Sequence, residues 1–131
     1  MSTEMMSLNE TVVTKLIALY EGWFLNGQLI YRPGEPLSAT LRLFSSNSQS
    51  VDWELSLDLL RLGVDSEKLL GPGNWNIRRY GADVVLVLPA KGSKAQILIN
   101  RHYVNKFLAA VKPAALDVDA EIEKLLGTEG E

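Results

Sequence analysis

Hydrophobic and polar residues alternate along much of the chain, and the period of alternation changes at a few defined places. Residues 37–44 read as a strand, with Leu37, Ala39, Leu41 and Leu43 on one face and Ser38, Thr40, Arg42 and Phe44 on the other. A polar loop, residues 45–50, leads into a second alternation in which Val51, Trp53 and Leu55 point one way and Asp52 and Glu54 the other. There the period changes. Leu59, Leu60 and Leu62 around Asp58 suit one or two helical turns, stopped by Gly63 as a residue that tolerates a left-handed position after a helix. A strand running straight into a short helix would place Trp53 and the paired leucines where sheet and helix meet. After a further short turn from Asp65 or Ser66 to Leu70, Gly71-Pro72-Gly73 breaks the chain. Three strands come next, from Trp75 to Tyr80, Asp83 to Pro89 and Ala95 to Asn100, joined by links short enough for antiparallel hairpins. Val84 to Leu88 is apolar at every position, the pattern of a strand covered on both faces by helices or by a second copy of the chain.

The ends of the chain return to a helical period. Tyr103, Val104, Phe107, Leu108 and Val111 form one stripe within residues 101–111, opposite His102, Asn105, Lys106 and Ala109, and Pro113 ends it. Asp117 is placed to cap a last helix with Val118, Ile122, Leu125 and Leu126 inward, stopped by Gly127. Residues 11–20 carry two conflicting signals. Leu8, Val12, Leu16, Leu19, Tyr20 and Trp23 make a helical stripe behind a Ser7-x-x-Glu10 capping box, whereas the content of Thr, Val and Ile suits a strand. Asn26-Gly27 signals a turn, after which Gln28 to Arg32 reads as a strand ended by Pro33-Gly34-Glu35-Pro36. The chain thus divides into a loose arm at 1–10, one domain at 11–126 and a tail at 127–131.

Composition narrows the functional classes. At 131 residues and 47% hydrophobic, one domain with a real core is expected. The net charge of −3 disfavours non-specific nucleic-acid binding, which needs a cationic surplus facing the phosphates. With no cysteine there is no disulfide, no thiolate nucleophile and no common zinc site. No basic and apolar leader and no long apolar run is present, so neither secretion nor membrane insertion is expected and the cytoplasm is the default.

Candidate chemistry is sparse. His102 is the single histidine and lies on the polar side of its helix, so no metal pair is available, and no G-x-S-x-G elbow accompanies it. Asp117, Asp119, Glu121 and Glu123 read as a solvated helix face, and Lys91-Gly92-Ser93-Lys94 reads as a charged hairpin tip without the spacing of a phosphate loop. Trp75 with Arg78, Arg79 and Tyr80 is the one mixture of basic and aromatic residues, and on an open sheet it would suit stacked bases. No enzyme and no cofactor is indicated.

Val51-Asp52-Trp53-Glu54, followed by Asp58-Leu59-Leu60 and Gly63, resembles the V-E-W-x-x-x-R-D-L-L-x-x-G signature of the SsgA-like proteins of actinobacterial sporulation and cell division. The likeness extends over about residues 11–126. Tyr31 with Pro36 resembles the L-x-Y-D-x-x-D-P-Y element, Gly71-x-Gly73-Asn74 is similar to G-x-G-D, and Asp117-x-Asp119 with Leu125-Leu126 is similar to the terminal motif. Leu57 stands where the signature has arginine, Arg32 and Glu35 replace two aspartates, and Pro113-Ala114-Ala115-Leu116 shortens a P-x-G-x-E segment.

The resemblance implies an α+β, Whirly-like fold, with a strongly curved antiparallel sheet and two C-terminal helices, assembled around an intermolecular β-barrel in a homotrimer. It implies a strand at 11–20. Tyr31, Pro36, Trp53, Leu59, Leu60 and Gly63 would be its signature core. It further implies a non-enzymatic adaptor that positions the tubulin-like division GTPase FtsZ at septa, with FtsZ and other family members as partners. The outer face of the last two helices, with His102, Lys106, Pro113 and Glu123, is the candidate partner surface, because exposed helix faces and loops carry contacts. The competing class is a single-stranded nucleic-acid binder working through Trp75, Arg78, Arg79 and Tyr80.

Overall fold

The computed structural model describes residues 11–45 and 49–111. Seven strands form one sheet: β1 (Val12–Tyr20), β2 (Trp23–Tyr31), β3 (Ser38–Phe44), β4 (Ser50–Ser56), β5 (Asn76–Tyr80), β6 (Asp83–Ala90) and β7 (Ser93–Asn100). Two helices complete the described fold, α1 (Leu57–Gly63) and α2 (residues 101–111). The spatial order is β4-β3-β2-β1-β7-β6-β5, and every neighbouring pair is antiparallel. The conflict over residues 11–20 is resolved as a strand. Thr14, Leu16 and Ala18 are buried while Val13, Lys15 and Ile17 are exposed, a period of two that also suits its β-branched residues.

Inward side chains of all seven strands and of both helices meet in one core. Leu29, Leu41, Leu55, Ile77, Leu86 and Ile97 line its sheet side, and Val104, Phe107 and Val111 enter from α2 at the spacing the sequence indicates. The sheet curls around this core. Trp53, on edge strand β4, donates its Nε1–H to the carbonyl of Pro89 on β6 at 2.8 Å. Strands that far apart in the sheet order come within hydrogen-bond reach only if the sheet closes towards a half-barrel. Trp53 therefore spans the mouth of the curl and is half-buried, rather than sitting at the junction of sheet and helix.

The junction itself is built by Ser56, whose Oγ accepts from Leu59 N–H at 3.2 Å as the helix cap. Starting one residue earlier than the leucine pattern suggests, α1 buries Leu57 and Leu60, followed by Val64, and leaves Leu62 exposed. Gly63 is not a left-handed terminator. It lies within the last turn, and a Cβ placed there would sit 2.2 Å from Ile77 Cγ2. The residue is small because α1, which leaves edge strand β4, docks on the opposite edge strand β5. No second short helix follows. Ser66 Oγ accepts from Lys68 N–H, and the chain then runs along the free side of β5, with Leu70 and Ile77 exchanging hydrogen bonds of 2.9 and 2.8 Å.

Asn26-Gly27 also has a different role. The β1–β2 turn is Glu21-Gly22, both with positive φ (50° and 82°), as a two-residue hairpin requires. Gly27 lies inside β2 between Leu16 and Leu43, where an added Cβ would meet Leu43 Cδ2 at 2.6 Å and the Arg42 carbonyl at 2.8 Å. Glycine here marks a close approach on the crowded inner face of the curl.

The apolar β6 has one face in the core and the other partly covered by its neighbours. Val84, Leu86 and Leu88 face the core, while Val85 is buried on the other side between its register partners Arg78 and Leu98. The arm, the tail and the predicted helix from Asp117 lie outside the described residues.

Gly63→Ala should destabilise the fold by about 1–3 kcal/mol, the usual cost of overpacking. In chemical denaturation, combining it with Ile77→Ala should cost less than the sum of the single changes, because the two γ carbons that the added methyl would strike are then gone.

Candidate functional site

Two surfaces stand out. The first is the outer face of α2. Asn100 caps this helix, its Oδ1 accepting from His102 N–H at 2.9 Å. Arg101 locks the helix start to the end of α1: its backbone N–H donates to the Ala82 carbonyl at 2.9 Å, its Nε to the Val64 carbonyl at 3.1 Å, and its Nη2 pairs with Asp65. With Val104, Phe107 and Val111 turned inward, His102 and Lys106 are exposed four residues apart, and so share one outward face. Pro113 and Glu123 lie outside the described residues.

The second surface is an open cleft of about 1010 Å³ at the mouth of the curl, between the β1–β2 turn, the β3–β4 ends and the β6–β7 hairpin. Leu43 and Ile97 line its inner wall, Trp23, Phe24 and Trp53 stand around it, and Lys91 lies at the hairpin tip. Trp23 and Phe24 are 74% and 75% exposed, so two large aromatic rings are left in solvent beside an apolar hollow. Their position was legible only in part: Trp23 fits a helical stripe in the sequence, and the Glu21-Gly22 turn that throws both rings to the rim is masked by the stronger-looking Asn26-Gly27.

One of the lining residues, Asp52, is held in an ion pair. Arg42 and Asp52 are register partners on β3 and β4 and meet through two hydrogen bonds, Nε to Oδ1 at 2.8 Å and Nη2 to Oδ2 at 2.9 Å. The hydrogen bonds from Arg42 hold the Asp52 carboxyl below its ordinary range, and the pair raises Arg42. Beside it, Arg32 Nη1 donates to Thr40 Oγ1, which donates to Glu54 Oε2, each at 2.9 Å. Arg32, which replaces an aspartate of the signature, thereby joins a polar ladder on the outside of the sheet.

The residues proposed for stacking bases do not gather. Trp75 is buried in the core at 6% exposure and offers no ring to a base. Arg78 lies over the Tyr80 ring at 5.1 Å, while Arg79 projects from the other side of β5 and bonds the Gly81 carbonyl. The signature residues are structural: Tyr31, Leu60 and Gly63 are buried, Leu59 packs against the core, and Pro36 is half-buried in the turn before β3. Among the described residues no cluster of three acidic, histidine or cysteine side chains is placed to hold a metal, and no helix is long and apolar enough to cross a membrane.

Residues 25–117 match the family model described as Streptomyces sporulation and cell division protein, SsgA. No curated protein sequence matches the chain. Among solved structures, SsgB of Streptomyces coelicolor superposes with a TM-score of 0.73 at 19% identity, over 82% of this chain and 90% of that one. Mutations in SsgB correlate with longitudinal cell division during sporulation. A sporulation-specific, SsgA-like cell division protein from Thermobifida fusca superposes with a TM-score of 0.63 at 16% identity, over 88% and 96% of the two chains. At these identities the structures attest the fold; the family model attests the family.

Because its folded carboxyl pKa is lowered, Asp52 stabilises the protein above its unfolded value, and the contribution is lost as pH falls through the folded value. The pair is partly exposed, so the effect should stay within about 1 kcal/mol and shrink with salt. An NMR titration should place the Asp52 midpoint below the ordinary carboxylate range, and Arg42→Gln should return it there.

Proposed function

The chain belongs to the SsgA-like family of sporulation and cell-division proteins, and from that premise we propose that it is a non-enzymatic adaptor that positions FtsZ at septum sites. The family match over residues 25–117 is the observation that carries this reading. The protein acts in the cytoplasm at the division septum, as a homotrimer and alongside other family members. Its contact surface is the outward face of α2, with His102 and Lys106; Pro113 and Glu123, in the sequence beyond the described residues, are candidate contacts with them.

The mechanism is multivalent. One copy offers a small, polar helix face, a weak site by itself. Three copies held together meet neighbouring subunits of a polymer, and the second and third contacts are then made at high effective concentration. An adaptor of this kind needs no reaction chemistry; it needs a rigid platform. Arg101, bonded at once to Val64, Asp65 and Ala82, fixes α2 on the fold and so fixes the direction in which His102 and Lys106 are presented.

Co-sedimentation with FtsZ polymers should carry the wild-type chain into the pellet. His102→Glu combined with Lys106→Glu should weaken that binding about tenfold, equivalent to about 1.4 kcal/mol, with unchanged circular dichroism. Undiminished binding by the double variant would remove α2 from the contact. A monomer by light scattering would remove the multivalent mechanism.

A further inference from the structure

We propose that the tip of the β1–β2 hairpin, with the β6–β7 hairpin beside it, docks on an anionic lipid bilayer. Trp23 and Phe24 enter the interfacial layer, and Lys91 and Lys94 meet the headgroups. This goes beyond the adaptor reading and does not depend on it.

Three strand connections lie at one end of the sheet. Tyr20 pairs with Trp23, Phe44 with Ser50, and Ala90 with Ser93. The pairing of Leu19 with Leu98 sets the β6–β7 tip at the same end as the β1–β2 turn. Apolar exposure gathers there: Trp23, Phe24 and Val51 are all exposed and all border the cleft.

The direction of the two rings decides what covers them. Trp23 pairs with Tyr20 and, by strand alternation, shares the inner face with Leu25 and the buried Leu29. Phe24 pairs with Leu19 and belongs to the outer face, with Asn26 and Gln28. A segment lying in the cleft would cover Trp23 and leave Phe24 in water. A partner on the outer face would do the reverse. A medium that the hairpin enters end-on covers both at once, and the Glu21-Gly22 turn is short enough for the rings to follow the tip directly. The interfacial layer of a bilayer is such a medium, and it favours aromatic side chains, Trp above all, at the level of the headgroups.

Charge selects the lipid. Lys91 and Lys94 are exposed on the neighbouring hairpin, and neither belongs to an ion pair among the described residues. Asp52, the acid among the residues lining the cleft, is already held by Arg42. Glu21 in the turn opposes the two lysines, so this end keeps a cationic surplus although the whole chain carries −3. Anionic headgroups attract such a surplus at close range, while salt screens the repulsion from more distant acids. Docking of this kind needs no segment that crosses the bilayer.

The test uses the full chain and its three tryptophans. Flotation with vesicles of phosphatidylcholine and phosphatidylglycerol in equal parts should carry the chain upwards. Vesicles of phosphatidylcholine alone should carry much less, and added salt should release the bound chain. Brominated acyl chains should quench the tryptophan emission. Trp23→Phe should keep the binding and lose most of the quenching, because Trp75 is buried and Trp53 half-buried. Trp23→Ser combined with Phe24→Ser should weaken binding about tenfold with unchanged circular dichroism. Lys91→Glu combined with Lys94→Glu should remove the preference for anionic vesicles. No flotation, or undiminished binding by the double serine variant, overturns the proposal. So does full quenching in Trp23→Phe, because another surface then meets the lipid. A solution mass that falls when both rings become serine also overturns it, because the rings then lie between copies of the chain. No division protein enters the experiment, so its failure leaves the adaptor reading untouched.

Discussion

The close approach of Gly63 to Ile77 is the contact on which the architecture turns. An open seven-stranded sheet has two edges, here β4 and β5, with unpaired backbone groups and an apolar inner face to cover. The chain solves both problems in one passage. It leaves β4 through α1, lays Leu57 and Leu60 into the core, brings Gly63 against Ile77 of β5, and then runs Leu70 along the outside of that strand. A helix so placed spans the gap between the edges, and the sheet must curl to meet it. Any side chain at residue 63 would push the two edges apart.

Among the described residues, no such helix lies at the other end of the curl. Closure there rests on the Trp53 indole reaching Pro89, and the result is an open mouth rather than a sealed core. The two ends therefore differ in character. One is sealed by α1, the start of α2 and the Arg101 cluster, and presents polar residues on a firm base. The other exposes aromatic rings around a hollow.

Much of this was legible in the sequence because periodicity reports which face is wet. The strand from Ser38, the three-strand meander and the α2 stripe through Val104, Phe107 and Val111 all appear where the pattern puts them. The errors that bear on the curl fall on glycines and on Trp53, beside Leu37 and Leu62, which are exposed, and Trp75, which is buried. Asn26-Gly27 carries the composition of a turn, but its glycine answers to Leu43 and Arg42 on a strand distant in sequence. Gly63 carries the composition of a helix stop and answers to Ile77. Trp53 reaches a carbonyl 36 residues away. In each case the reason lies on another strand, where no local pattern reports it. Residues 11–20 show the converse: helical spacing was a coincidence of a strand whose outward side chains include Val13 and Ile17.

Native-state hydrogen exchange tests most directly whether α1 binds the two edges into one unit. If it does, the slowest amides of β4, α1 and β5 exchange with the same opening free energy and denaturant dependence, although β4 and β5 lie at opposite ends of the sheet order. If the β3–β4 hairpin opens while β5 and its neighbours stay protected, α1 is an appendage of one edge and does not hold the curl together.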